Sequence, residues 1–141
     1  MSDLQRAIEI AVTAHRGQTR RDGTPYVLHP LRLMFSVESD NERIVAVLHD
    51  VVEDTSVSMD QLKSEGFTDE ILAALALLTH DDGSSYEDYI DRIRPNPIAR
   101  AVKLADLRDN SNLLEMPVLS EHDLTRAAKY HRAFMRLSEA T

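Results

Sequence analysis

The sequence predicts an all-α protein, and three observations carry that expectation. Apolar residues recur at three- and four-residue intervals along most of the chain, the period of one helix face. No stretch shows the two-residue alternation of a half-buried strand. The breaks between the apolar runs are short and carry cap and turn residues, as the connections of a helical bundle do. A length of 141 residues fits one domain, 1–141, around one core.

Each element has its own signals. The first helix runs from about Ser2 or Asp3, either of which can cap it, to His15, with Leu4, Ala7, Ile8, Ala11 and Val12 as its buried face. Residues Arg16 to Tyr26 hold Gly17, Gly23 and Pro25 and read as a loop. That loop also holds Arg16, Arg20 and Arg21, so it is either an anion contact or a solvated basic loop. His29-Pro30 opens the second helix, with proline at the first helical position, and Leu31, Met34, Phe35 and Val37 form its buried face. Asp40 or Asn41 caps the third helix, which carries Val45 to Asp54 and ends at Thr55 and Ser56.

Ser58 with Gln61 has the spacing of a capping box for a short fourth helix, finished by Gly66. Thr68 starts a fifth through Ile71, Leu72, Leu75 and Leu78, and Asp81 to Ser85 is a turn. Tyr86, Tyr89, Ile90 and Ile93 describe a sixth, stopped by Pro95. Asn96-Pro97 caps and opens a seventh through Ile98, Ala101, Val102, Leu104 and Ala105. Met116-Pro117 interrupts the pattern, Ser120 with Asp123 restarts it, and the last helix runs to about Leu137.

Composition narrows the function. A formal net charge of −8 argues against a nucleic-acid binder, which needs clustered Lys and Arg. It leaves room for a small phosphorylated ligand met by a local basic patch or a metal ion. The absence of cysteine removes disulfides and thiolate ligands and fits a reducing cytoplasm. No apolar run approaches a membrane span, and Met1 to Arg6 lack a signal-peptide layout. The expectation is a cytoplasmic protein with no membrane partner.

The chemistry concentrates in Val45 to Thr55. Val45, Leu48 and Val52 mark an apolar face, interrupted by His49, Asp50, Glu53 and Asp54. On one continuous helix His49 and Glu53 lie a turn apart, as do Asp50 and Asp54, so an imidazole and three carboxylates share a patch. Such carboxylates repel one another, and a bound cation removes the conflict. A lone His-Asp pair on a helix is most often a surface or capping pair, but the added carboxylates and the apolar flanks favour a site. His29, at a helix start, and Asp106, inside Lys103-Leu104-Ala105-Asp106, could complete it. Two imidazoles and two carboxylates suit Mn²⁺, Fe²⁺, Ni²⁺ or Zn²⁺ better than Ca²⁺.

The order His29-Pro30, His49-Asp50-Val51-Val52-Glu53-Asp54-Thr55 and Lys103-Leu104-Ala105-Asp106 resembles the HD-domain metal-dependent phosphohydrolases. It resembles most the hydrolase domain of the Rel/Spo enzymes and their stand-alone small relatives, which remove the 3′ pyrophosphate of (p)ppGpp. The similarity is dense from Ala14 to Thr55 and returns at Val102 to Asn110. It implies a single-domain HD-type helical bundle and a metal-dependent phosphohydrolase acting on a nucleotide such as (p)ppGpp. By position it implies that His29, His49, Asp50 and Asp106 ligate one divalent metal. Mn²⁺ is the first choice, with Mg²⁺, Fe²⁺, Ni²⁺, Zn²⁺ or Co²⁺ as alternatives. It implies that Glu53 and Asp54 are the catalytic pair that orients or deprotonates the attacking water. Arg20, Lys103 and Asn110 match substrate-side positions. Asn110 also follows Asp106 by four residues, so one helix face can present both, and for all three a salt bridge or cap is the competing explanation.

Two positions depart from the family pattern. Leu107 stands where an arginine usually follows the aspartate, and Asp109 stands where a histidine usually precedes the asparagine. Asp109 is expected to add negative charge near the pyrophosphate. These departures keep a second reading open, a non-catalytic or regulatory HD-fold nucleotide- or metal-binding module. With no synthetase or regulatory segment after the HD core, the expectation is degradation only, and a homodimer is compatible with so small a domain. His15 is either a support to the site or a histidine hydrogen-bonded at a helix end. His80, His122 and His131 read as surface, and Tyr86, Glu87 and Tyr89 as either a pocket border or core packing.

Overall fold

The computed structural model describes residues 3–80 and 83–139. Among them are nine α-helices: α1 (Leu4–Ala14), α2 (Leu28–Ser36), α3 (Asp40–Leu48), α4 (Val51–Asp54), α5 (Met59–Ser64), α6 (Asp69–Leu78), α7 (Tyr86–Ile93), α8 (Pro97–Asn110) and α9 (Glu121–Ser138). A short 3-10 helix, Leu113–Glu115, precedes α9. The described residues contain no strand, only an isolated bridge between Thr19 and Pro25. No helix among them is long and apolar enough to cross a membrane. Ser2, one candidate cap of the first helix, and the Asp81-Asp82 start of the expected turn lie outside the described residues.

α3 is the centre. Ile44, Val45, Ala46, Val47 and Leu48 are all buried, so the helix is covered on every side. It packs against α1, α2, α6 and α8, and α8 in turn packs on α2, α6, α7 and α9. A surface helix alternates apolar and polar faces, so five successive apolar residues are the mark of a helix inside its bundle. The caps are mostly those expected. Asp3 caps α1, Thr68 caps α6, Asn96 caps α8, and Ser58 with Gln61 closes a full capping box on α5.

Several expectations need correction. Asp40 and Asn41 lie inside the first turn of α3, and the cap is Ser39, whose hydroxyl accepts from the Glu42 N–H while Glu42 reaches back. Pro30 is the third residue of α2, still within the turn whose amides need no helical partner. Val12 and Phe35, placed on buried faces by their spacing, are 47% and 81% exposed, because α1 and α2 each bury a narrower stripe than the apolar count implied. The largest change lies at the central stretch. The helix expected to run through Asp54 stops at Leu48 and restarts at Val51, with Asp50 at φ −102° and ψ −1°. The His49 ring takes the Ala46 carbonyl at 2.7 Å, the acceptor a continuous helix offers to the Asp50 N–H.

Ser39→Ala is expected to lower stability by about 1 kcal/mol, whereas Asp40→Ala stays within about 0.5 kcal/mol. Urea unfolding midpoints of the two variants distinguish the observed cap from the expected one.

Candidate metal and active site

The break between α3 and α4 turns His49 and Asp50 toward the seam where α2, α3 and α8 pack together. His29 comes from the first turn of α2 and Asp106 from the middle of α8. His29 Nε2 lies 2.9 Å from Asp106 Oδ1 and 3.9 Å from Asp50 Oδ2. His49 Nε2 lies 3.0 Å from Asp50 Oδ2 and 3.5 Å from Asp106 Oδ1. The potential ligand atoms of His29, His49 and Asp50 all lie within 4.8 Å of one another, and Asp106 closes the group from α8. The two imidazoles are 1% and 5% exposed.

The outer ring nitrogens determine what the inner ones offer. His49 Nδ1 faces a backbone carbonyl, which only accepts, so Nδ1 carries a proton, and in the neutral ring Nε2 is the nitrogen that presents a lone pair. That Nε2 is buried and has no hydrogen-bond partner, although Asp50 is close. His29 Nδ1 meets Asp109 Oδ2 at 2.5 Å. The clustered His29, His49 and Asp50, with Asp106 within 3.5 Å of both imidazoles, form a donor set that fits a small divalent cation, and an orphaned Nε2 is an atom such a cation satisfies. The charges show the same need. Burial pushes the Asp50 carboxyl up, yet the adjacent His49 outweighs it and holds it at about 2. Burial likewise lowers the His49 imidazole, and Asp50 and Asp106 outweigh that to hold it well above its usual value. A proton or a metal ion must supply the positive charge these carboxylates demand.

Around the group stand its partners. The Tyr26 hydroxyl donates to Asp50 Oδ2. Lys103 Nζ donates to Asp106 Oδ2 at 2.9 Å and sits 5.2 Å from the centre of the Tyr89 ring. Burial alone would lower the Lys103 ammonium, but Asp106 overrides it and the lysine stays charged. Asn110 Nδ2 donates to Asp106 Oδ1 at 2.9 Å, and its Oδ1 accepts from Arg20 Nη2 at 2.9 Å. Arg20 also reaches Asp109 at 3.4 Å, and Arg32 grips Asp109 with both Nε and Nη2, at 2.8 and 2.9 Å.

Glu53 and Asp54 occupy the single turn of α4 directly after Asp50, both open to solvent. Partial burial and then the charge of Asp50 raise both carboxyls above their usual values, and for Glu53 the Asp54 charge adds to it. Glu53 Oε1 accepts from the His80 N–H at 3.2 Å. The Asp54 carbonyl accepts from Gln18 Nε2 at 2.9 Å, and Gln18 Oε1 faces His15 Nδ1 at 2.8 Å.

The structure therefore brings together His29, His49, Asp50, Asp106, Lys103, Asn110 and Arg20, with Glu53 and Asp54 beside them. The competing explanation for Arg20, Lys103 and Asn110, ordinary pairing, also holds, since each is bonded to another residue of the cluster. His15 fits both of its readings. It ends α1, and through Gln18 it braces the end of α4. His80 is not a surface residue: its ring packs 4.6 Å from Tyr89, while His122 and His131 are exposed. Tyr89 belongs to the core, its hydroxyl on the Leu78 carbonyl. The two departures also resolve. Leu107 is buried in the core, and the Asp109 charge is neutralised by Arg32 and Arg20. Tyr26 and Arg32 were missed as site residues. Arg32 follows His29 by three residues, as Asp109 follows Asp106, and that matched spacing on two helices is a signal that could have found Arg32; Tyr26 carries none.

No protein-family model matches the chain. The chain is 33% identical to a probable GTP pyrophosphokinase of Mycobacterium leprae over 78% of its own length and 16% of that protein. It is 30% identical to a guanosine-3′,5′-bis(diphosphate) 3′-pyrophosphohydrolase of Aquifex aeolicus, over 79% of this chain and 18% of that one. The chain thus spans less than a fifth of the length of these curated relatives. Among solved structures, a metazoan ortholog of SpoT that hydrolyses ppGpp superposes with a TM-score of 0.79 at 22% identity, covering 97% of this chain and 85% of the other. That likeness is one of fold, and the fold is the all-α HD type. The relationship to the Rel/Spo branch drawn from the motifs is borne out by these relatives.

Lys103→Met is expected to cost about 3 kcal/mol, because it leaves Asp106 buried without its ammonium partner. Chemical denaturation in the presence of a chelator measures it.

Proposed function

We propose that this chain, a relative of the Rel/Spo-type proteins, is a divalent-metal-dependent phosphohydrolase that removes the 3′ pyrophosphate of (p)ppGpp. The observation that supports the reading is the cluster of His29, His49 and Asp50, with Asp106 within 3.5 Å of both imidazoles and the two solvent-facing carboxylates Glu53 and Asp54 on the next turn of chain. The Aquifex aeolicus relative, named for this hydrolysis, supports the substrate. His29, His49, Asp50 and Asp106 would hold the ion, with Mn²⁺ the first choice. When bound, such an ion polarises a phosphoryl oxygen and lowers the pKa of a water molecule.

The chain's own residues do the rest. Glu53 and Asp54 orient the attacking water and take its proton, and their raised affinity for a proton suits a general base. Lys103 and Arg20 supply cationic hydrogen-bond donors to phosphate oxygens, and Asn110 holds Arg20 in place. Water adds to the phosphorus next to the 3′ oxygen, the bond to that oxygen breaks, and the departing oxygen takes up a proton from solvent, so that pyrophosphate leaves with the nucleotide 3′ hydroxyl restored.

Pyrophosphate release from ppGpp, followed with Mn²⁺ and with a chelator, tests the reading, and release that requires Mn²⁺ is the expected result. Asp50→Ala is expected to lose both Mn²⁺ binding and turnover. Glu53→Gln is expected to keep Mn²⁺ and lose turnover by about 100-fold or more. Hydrolysis at the wild-type rate by a folded Asp50→Ala protein would overturn the assignment. Metal binding without release would move the substrate to another phosphate ester, or leave the chain as a non-catalytic HD-fold binding module.

A further inference from the structure

His29 is a buried imidazole with a carboxylate at each ring nitrogen, Asp106 Oδ1 at 2.9 Å from Nε2 and Asp109 Oδ2 at 2.5 Å from Nδ1. A neutral imidazole has one N–H, so the two carboxylates compete for one proton, and the losing nitrogen is left with the lone pair a metal ion requires. The competition is unequal in its geometry. Asp106 also takes donors from Lys103 and Asn110 and stands among the ligand atoms. Asp109 stands behind the ring, outside that group, and is gripped from the far side by the Arg32 fork.

We propose that Asp109, clamped by Arg32, is a positioning residue for His29: it accepts the Nδ1 proton, fixes the ring plane and turns the Nε2 lone pair toward Asp50, His49 and Asp106. The device is built from helix spacing. His29 and Arg32 are three residues apart on α2, Asp106 and Asp109 three apart on α8, and the packing of α2 on α8 sets the two pairs face to face. Arg32 has a second effect. Its charge offsets that of Asp109, so the site gains an oriented ligand without presenting extra negative charge to an anionic substrate. A carboxylate behind a ligating imidazole typically changes metal affinity by about 10- to 100-fold.

The inference rests on the metal site proposed above, and the experiment separates the two. Mn²⁺ is titrated calorimetrically into the wild-type chain, Asp50→Ala, Asp109→Ala, and the double variant Asp109→Ala with Arg32→Gln, which leaves the net charge unchanged and offers His29 Nδ1 no acceptor at position 109. Circular dichroism checks that each is folded. The expected result is that Asp50→Ala abolishes binding, while Asp109→Ala and the double variant each weaken it by about tenfold or more. If Asp50→Ala binds as the wild type does, the metal site itself is wrong and the inference falls with it. If Asp50→Ala fails to bind but Asp109→Ala binds within twofold of wild type, only the role of Asp109 is overturned. Recovery of wild-type affinity in the double variant also overturns it, since net charge alone would then explain the single variant. Should the variants not fold, the ¹⁵N shifts of His29 in the wild-type chain loaded with Zn²⁺ decide: a proton on Nδ1 is expected, and a proton on Nε2 refutes the proposal.

Discussion

Three carboxylates, Asp50, Asp106 and Asp109, converge on two buried imidazoles at the seam of α2, α3 and α8, and the rest of the site is arranged to make that concentration of charge tolerable. Taking such groups out of water is costly unless each finds partners. Each does. Tyr26 covers Asp50, Lys103 and Asn110 cover Asp106, and Arg32 and Arg20 cover Asp109. At the centre the ring nitrogens and the carboxylate oxygens face one another at 2.9–3.0 Å, where a proton or a divalent ion can supply the missing positive charge.

That arrangement depends on a helix that stops early. Were α3 continuous, Asp50 would sit on the helix surface a fixed 100° from His49, and Glu53 and Asp54 would follow on the same cylinder. The His49 ring instead bonds back to the Ala46 carbonyl, the chain takes a non-helical step at Asp50, and α4 starts afresh. One hydrogen bond thereby does two things. It puts a proton on His49 Nδ1, so that Nε2 is the ring nitrogen facing Asp50 and Asp106, and it takes up the carbonyl that a continuous helix would offer to the Asp50 N–H. Gln18, bridging His15 and the Asp54 carbonyl, holds the far end of that turn.

Asp109 shows why charge counted along a chain can mislead. Read in sequence, it is one more acid beside a site for an anion. In space it is paired with two guanidinium groups and lies against the back of a histidine. Its negative charge meets a ring and two guanidinium groups, while Lys103 pairs with Asp106.

The helical class and most caps were legible in the sequence, because each depends on local spacing: apolar residues every three or four positions, Ser58 with Gln61, and Asn96 before Pro97; the runs around His29, His49 and Asp106 also marked the four residues that the helices bring within a few ångströms of one another. What the spacing could not carry was anything set by contact between distant segments. The exposure of Val12 and Phe35, the end of α3 at Leu48, and the partners of Asp109 all depend on which helix lies across the way. Periodicity reports which face of a helix is apolar, but how wide a stripe is buried, and whether an acid meets solvent, a guanidinium or an imidazole, is decided only when the helices pack.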